Sequence, residues 1–269
     1  MPRRTARRRR TPWSLGTPAL VGALLLVVPL IGLLLRAPWS GLGRILGTPE
    51  VLDALWLSLF SATLATGISL VLGVPLAWVL ARSTMPGLRL LRALVTLPLV
   101  LPPVVGGVAL LLVLGRNGLV GQWLDAWFGI SLPFTTAAVV IAETFVAMPF
   151  LVVAVEGAFR SADQGYDEAA ATLGAGRLTV FWRVSLPLIR PALVAGAVLC
   201  WARALGEFGA TITFAGNVQG VTRTMPLAVY LAMETDPDAA LALSLVLLAV
   251  SVAVLFALRG RWVGAGGTA

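Results

Sequence analysis

Six long apolar runs decide what this chain can fold into. They cover about 15–35, 54–81, 90–114, 134–155, 188–214 and 239–258. Each meets the length of about 20 mostly apolar residues that a helix needs to cross a bilayer. Hydrocarbon offers no water to backbone N–H and C=O groups, and a helix satisfies those groups within itself. The expected fold class is therefore all-α: a polytopic membrane protein with about six transmembrane helices. The second and fifth runs are long enough to tilt, or to end in irregular structure. Charged residues make up only 12% of the chain, where a soluble domain carries about 25%.

The polar residues that are missing exclude whole classes of function. There is no His, so no His-ligated zinc or haem site can be built, and no metal or cofactor is expected. Cys200 is the one cysteine, which rules out an intrachain disulfide. All twenty basic residues are Arg, and a phosphate-binding Walker A loop needs a Lys. No nucleophile–base pair stands out either. The chain is not read as an enzyme, and any ATP-driven work belongs to a partner.

Arginine placement sets an orientation. Arg3, Arg4, Arg7, Arg8, Arg9 and Arg10 crowd the first ten residues and read as a solvated arm (1–14) against anionic lipid, not as a nucleic-acid site. The arm and the first run have the outline of a signal peptide. The run is long, however, and no small-x-small site closes it, so retention is expected. With the N-terminus inside, fifteen arginines fall on the inner side and five on the outer. That asymmetry places both termini in the cytoplasm. The transmembrane domain is then 15–258, with a cytoplasmic tail over 259–269.

One polar gap carries a pattern. Glu168-Ala169-Ala170 is followed by Gly174, then after nine residues by Val184-Ser185-Leu186-Pro187. Ser161 and Gln164 have the spacing of a capping box, which predicts a helix over about 162–173, stopped at Gly174 by a left-handed residue. Ala169, Ala170 and Leu173 would share a small apolar face. Asp163, Asp167 and Glu168 would occupy the first turns, where negative charge is favoured. Arg177 and Arg183 would flank a second short helix that Pro187 ends. A helix–glycine–helix of this kind, hung between spans over about 161–187, suits insertion into a groove on another protein.

Other polar groups lie in or beside the runs. Glu143 stands mid-span, either protonated or hydrogen-bonded to a neighbouring helix. Arg203 and Glu207, four apart, can pair on one helix face. Leu97-Pro98-Leu99-Val100-Leu101-Pro102-Pro103 before Gly106-Gly107 should bend or unwind the third run, as a packing kink or as part of a wet lining. A polar path between the spans would meet the hydroxyls of Ser58, Ser61, Thr63, Thr211 and Thr213. It would also meet N–H groups freed around Pro102-Pro103 and Gly206–Gly209. No convincing internal repeat is present.

The Glu-Ala-Ala, Gly and Leu-Pro spacing resembles the loop of permease subunits of binding-protein-dependent ABC importers, with Val184 where the family has Ile. The stretches Arg203–Asn217 and Thr222–Tyr230, the proline-rich 97–107 stretch and Gly115-Arg116-Asn117-Gly118 are similar to molybdate permease subunits, over roughly residues 52–258. Sulfate and thiosulfate permeases share the Gly-Glu-Phe/Tyr-Gly core. The resemblance implies a homodimeric pathway for molybdate, and also tungstate. It implies two copies of an ATPase inside and an extracytoplasmic oxyanion-binding protein outside. Glu168, Ala169, Ala170, Gly174, Leu186 and Pro187 would couple to that ATPase. A rival, a proton-coupled transporter using Glu143 and Glu207, would need inverted repeats with matched broken helices.

Overall fold

The computed structural model describes residues 13–263, helical for most of their length with no strand among them. The Arg-rich arm up to residue 12 and the tail from residue 264 lie outside the described residues. The first half holds α1 (Trp13–Leu35), α2 (Leu42–Leu46), α3 (Pro49–Arg82), α4 (Leu88–Val100), α5 (Pro103–Leu114), α6 (Gly121–Phe128) and α7 (Thr136–Ser161). Then come α8 (Gly165–Thr172), α9 (Arg177–Val180), a π-helical turn (Phe181–Ser185) and α10 (Leu186–Leu188). The chain closes with α11 (Arg190–Leu205), α12 (Gly209–Phe214), α13 (Met225–Thr235) and α14 (Pro237–Val263).

The apolar runs map onto four unbroken helices and two broken ones. Helices α1, α3, α7 and the Pro237–Val254 part of α14 are each long and apolar enough to cross a membrane. The pair α4–α5, bent by 119°, and the pair formed by Arg177–Leu188 and α11, bent by 79°, bring the number of spans to six when each counts as one. The first bend falls where the prolines stand. Leu101 and Pro102 are extended, with ψ 134° and 132°, because a residue before proline is pushed out of the α region. The run 188–214 is two helices rather than one, parted at Gly206-Glu207-Phe208. The tail expected from residue 259 starts inside α14, which continues to Val263.

Small side chains explain the packing. Helices α3 and α7 form the most extensive pair, and α11 lies across both. The buried face of α3 carries Ala54, Ser58, Ser61, Ala62, Ala65, Ser69, Gly73 and Ala77, the small residues that let helices approach closely in lipid. Helix α12 rests on α5 and α7, and α13 on α14 and α3. By contrast α1 buries none of its residues and touches α14 alone to any extent. Its surface is apolar all round, as a lipid-facing helix requires.

Candidate functional site

The polar gap folds into a short helix held off the bundle. Helix α8 starts at Gly165, three residues later than the expected start, and the capping box does not form. The Ser161 hydroxyl instead donates to the Ala158 carbonyl at the end of α7, while Asp163 Oδ1 accepts from the Gly165 N–H. The stop is as expected. Gly174 has φ +86°, its N–H bonds the Ala171 carbonyl, and the Ala175 N–H reaches back to Ala170. Those two bonds make a Schellman motif.

Pro187 does not end the second helix. A proline has no N–H to offer the carbonyl four residues back, and here the backbone widens into the π turn. The Leu186 N–H donates to Phe181, five residues back. The break comes two residues later, at Ile189, just before Pro191. The widened turn also sorts its side chains. Phe181 sits in the main core against Trp78 and Phe159, and Leu186 packs on the same core. Tyr166, Leu173, Leu178 and Trp182 stand exposed, Leu173 at 88% and Trp182 at 60%. Glu168, Ala169, Gly174 and Pro187 are exposed as well, and Ala170 is half-buried. The loop thus offers one apolar surface outward and anchors the other inward.

Ion pairs that sequence reasoning missed fasten this loop. Asp167, read only as a favourable first-turn charge, accepts from the Ser185 hydroxyl at 2.9 Å and lies 3.3 Å from Arg82 Nη2. Arg82 also reaches the Ala162 carbonyl. A second brace lies beside it. Glu156 Oε1 sits between Arg92 Nε at 2.8 Å and Arg160 Nη2 at 3.1 Å, and Arg92 Nη2 bonds the Leu80 carbonyl. Arg82 thus joins the end of α3 to α8 and, through Asp167 and Ser185, to the π turn, while Arg92 joins α4 to α3 and α7. The i,i+4 spacing of Glu156 and Arg160 was the one local signal; the other ion pairs, Arg92–Glu156 and Arg82–Asp167, join residues 64 or more apart.

The proposed pathway residues divide into two groups. Ser61 donates to Glu143 at 2.8 Å, and the Ser58 hydroxyl accepts from the Met225 N–H. Ser58 and Ser61 are thereby buried ties from α3 to α13 and α7. Glu143, only 1% exposed, is hydrogen-bonded to a neighbouring helix as one of its two readings required. Thr63 donates to Leu59 and accepts from Trp201, and Thr213 donates to Gly209. Thr211 is buried with its hydroxyl unpartnered.

Pro103, Gly209 and Thr213 come together where α5 crosses α12. A Cβ on Gly107 would lie 2.7 Å from Thr213 Cβ and 2.9 Å from the Ala210 carbonyl oxygen, and one on Gly209 would lie 3.0 Å from Pro103 Cβ. Gly209 is thus a packing glycine more than a source of free N–H. Pro102, Pro103 and Gly206 remain exposed. Arg203 and Glu207 pair as their spacing predicted, in contact though off hydrogen-bond geometry. Glu207 Oε1 also accepts from the Ala210 N–H, which caps α12. Neither Glu143 nor Glu207 meets solvent.

The chain belongs to the family of binding-protein-dependent transport system inner membrane components, whose pattern matches residues 69–264. It is a multi-pass inner-membrane permease. The molybdenum transport system permease protein ModB of Mycobacterium tuberculosis is 52% identical over 91% of this chain and 92% of its own. That of Escherichia coli is 43% identical over 81% and 95%. The Escherichia coli sulfate transport system permease protein CysT is 39% identical over 91% and 90%. Among solved structures, a bacterial ABC transporter that imports alginate matches with TM-score 0.72 and 17% identity over 93% of both chains. The MetNI methionine transporter in an inward-facing form matches with TM-score 0.63 and 19% identity over 80% of this chain and 94% of its own. These last two speak for the fold.

Proposed function

We propose that this chain is the membrane-spanning subunit of an ABC importer and forms the pathway for molybdate, and also tungstate. The observation that carries the coupling role is the loop from α8 to α10. Its Schellman stop, its Asp167–Arg82–Ser185 clamp and its outward Tyr166, Leu173, Leu178 and Trp182 make a rigid apolar knob beside an otherwise lipid-facing bundle. Within this proposal the knob seats in a groove of an ATPase subunit. Glu168, Ala169, Ala170 and Gly174 shape it, while Leu186 and Pro187 join it to the span behind. ATP is hydrolysed on that partner and not on this chain. Two ATPase copies, a second copy of this chain, membrane lipid and an extracytoplasmic oxyanion-binding protein complete the assembly.

Both termini face the cytoplasm in this reading, so the knob does too. The pathway runs past Ser58, Ser61, Thr63, Pro102, Pro103, Gly206, Gly209, Thr211 and Thr213. Weak groups of this kind let an ion leave as readily as it enters, and selection rests with the binding protein. The ModB relatives, at 52% and 43% identity, support molybdate over sulfate, whose relative stands at 39%. Leu173→Glu tests the knob. It removes about 2 kcal/mol of apolar burial, so affinity for the ATPase should fall by roughly 30-fold or more with membrane insertion intact. Undiminished co-purification of ATPase with that variant would refute the coupling role.

A further inference from the structure

The Gly115-Arg116-Asn117-Gly118 motif plays no part in the coupling loop. It closes α5 at the end of the bundle where α7 begins, whereas the knob lies where α7 ends. There it lines a cavity of about 540 Å³, together with Leu111, Leu112, Ser131 and Phe134 among others. Arg116 is the one charged residue of that lining. The carbonyls of Leu111, Leu112 and Val113, in the last turn of α5, accept from the N–H groups of Gly115, Leu119 and Val120. The negative end of the helix, which would repel an anion, is covered in this way. Among the described residues, no backbone carbonyl accepts from the N–H of Arg116 or Asn117. Donors are thus left over at the tip of the turn, and the Asn117 amide and Ser131 hydroxyl add to them. Asp125 of α6 stands 3.5 Å from Arg116 Nε, outside the lining, and the Arg116 side chain is 68% exposed. So open a pair is weak enough for another anion to compete with it.

The opposite wall is built under strain. Phe134 is the only residue other than glycine with a positive φ among those described, at +62°. Its ring lies against Gly216, where a Cβ would come within 2.7 Å of it, and Gly216 is itself left-handed at φ +77°. Backbone strain of this kind collects at ligand sites, and here it sets an aromatic ring into the cavity wall. Gly216 follows α12 and Phe134 precedes α7. The cavity therefore stands over the outer ends of the elements that carry the proposed pathway, about 12 Å along α5 from Gly107. A four-oxygen anion, taken as four waters, fills roughly 120 Å³, so it would enter with part of its water. A lipid phosphate offers the same oxygens, but the cavity lies by the crossing of α5 and α12 and not beside the lipid-facing α1. Resting on the transport reading above, we infer that this cavity is an outer site where a hydrated tetrahedral oxyanion lodges before it enters the pathway, held by the Arg116 guanidinium and the N–H groups of Arg116 and Asn117.

Equilibrium dialysis of labelled molybdate against the full chain, held in nanodiscs of zwitterionic lipid, tests this. Binding should be weak and should fall about 10-fold or more in Arg116→Gln, the size of a lost charged hydrogen bond. Arg116→Lys should recover most of it. Arg116 is exposed, so neither variant should shift the melting temperature. Sulfate should compete, and chloride at the same ionic strength should not. Equal binding by Arg116→Gln and the wild type would overturn the inference. Equal competition by chloride would do so too, since it marks a diffuse charge and not a site. In nanodiscs that contain anionic phospholipid, lipid retained by the wild type but not by Arg116→Gln, and displaced by no oxyanion, would give the cavity to a headgroup and overturn it as well. Uptake by the assembled importer separates this claim from the transport reading. Molybdate uptake that Arg116→Gln leaves intact, with binding also unchanged, keeps that reading and removes this site. Arg116-dependent binding without any uptake does the reverse.

Discussion

At Gly174 the chain turns with φ +86°, a conformation that costs any residue with a Cβ about 1–2 kcal/mol. No neighbouring atom crowds the position, so the glycine is required by the backbone alone. Gly174→Val should therefore loosen the stop of α8 by that amount. Amide exchange over residues 170–175 would then quicken by roughly 5- to 30-fold, with the spans unaffected. Unchanged exchange there would show that α8 ends for another reason. Glu207 is a second residue with more than one duty: it caps α12 and neutralises Arg203. It joins the half-helices on either side of the break at 206–208, which explains why a carboxylate is tolerated there.

Among the elements, those built on local chemistry were legible beforehand. Gly174 announced the end of α8, Pro102-Pro103 the bend between α4 and α5, and the spacing of Arg203 and Glu207 their pairing. The elements misread were those in which tertiary contacts outcompeted a local rule. Ser161 and Gln164 had the letters of a capping box, yet Ser161 finishes α7 and Asp163 turns the chain. Pro187 had the look of a terminator, but Phe181, Phe159 and Trp78 hold the helix in place and the backbone widens around the missing N–H. The arginine clamps were invisible because their partners lie far apart in sequence. The glycines of α5 and α12 were read as kinks or freed N–H groups, whereas contact distances make them a crossing. Gly107→Ala should accordingly strain that crossing and lower stability by about 1–3 kcal/mol. Gly67→Ala in α3, where nothing lies within 4 Å, should be neutral or stabilising. Equal thermal melting of the two variants would contradict the crossing.

For the whole molecule, the bundle of α3, α7 and α11 forms a fixed body, with α1 outside it and the knob at one end. Arg82 ties the knob to the end of α3, and Arg92 ties α4 to α3 and to Glu156 of α7, so a force on α8 is passed to α3 and through it to α4 and α7. The proposed orientation puts that end in the cytoplasm. Cys200 is buried, which leaves a clean background for labelling. A cysteine at exposed Thr179 should resist an impermeant thiol reagent added outside intact cells and react once the membrane is opened. Labelling from outside would reverse the topology.

Vesicle transport tests the central claim most directly. The full chain, its ATPase and its binding protein would be reconstituted and uptake of labelled molybdate followed. The account predicts uptake that requires ATP on the knob side, persists when an uncoupler removes the proton gradient, and disappears with Leu173→Glu. Uptake driven by a proton gradient without ATP, or ATP-driven uptake that Leu173→Glu leaves intact, would contradict it.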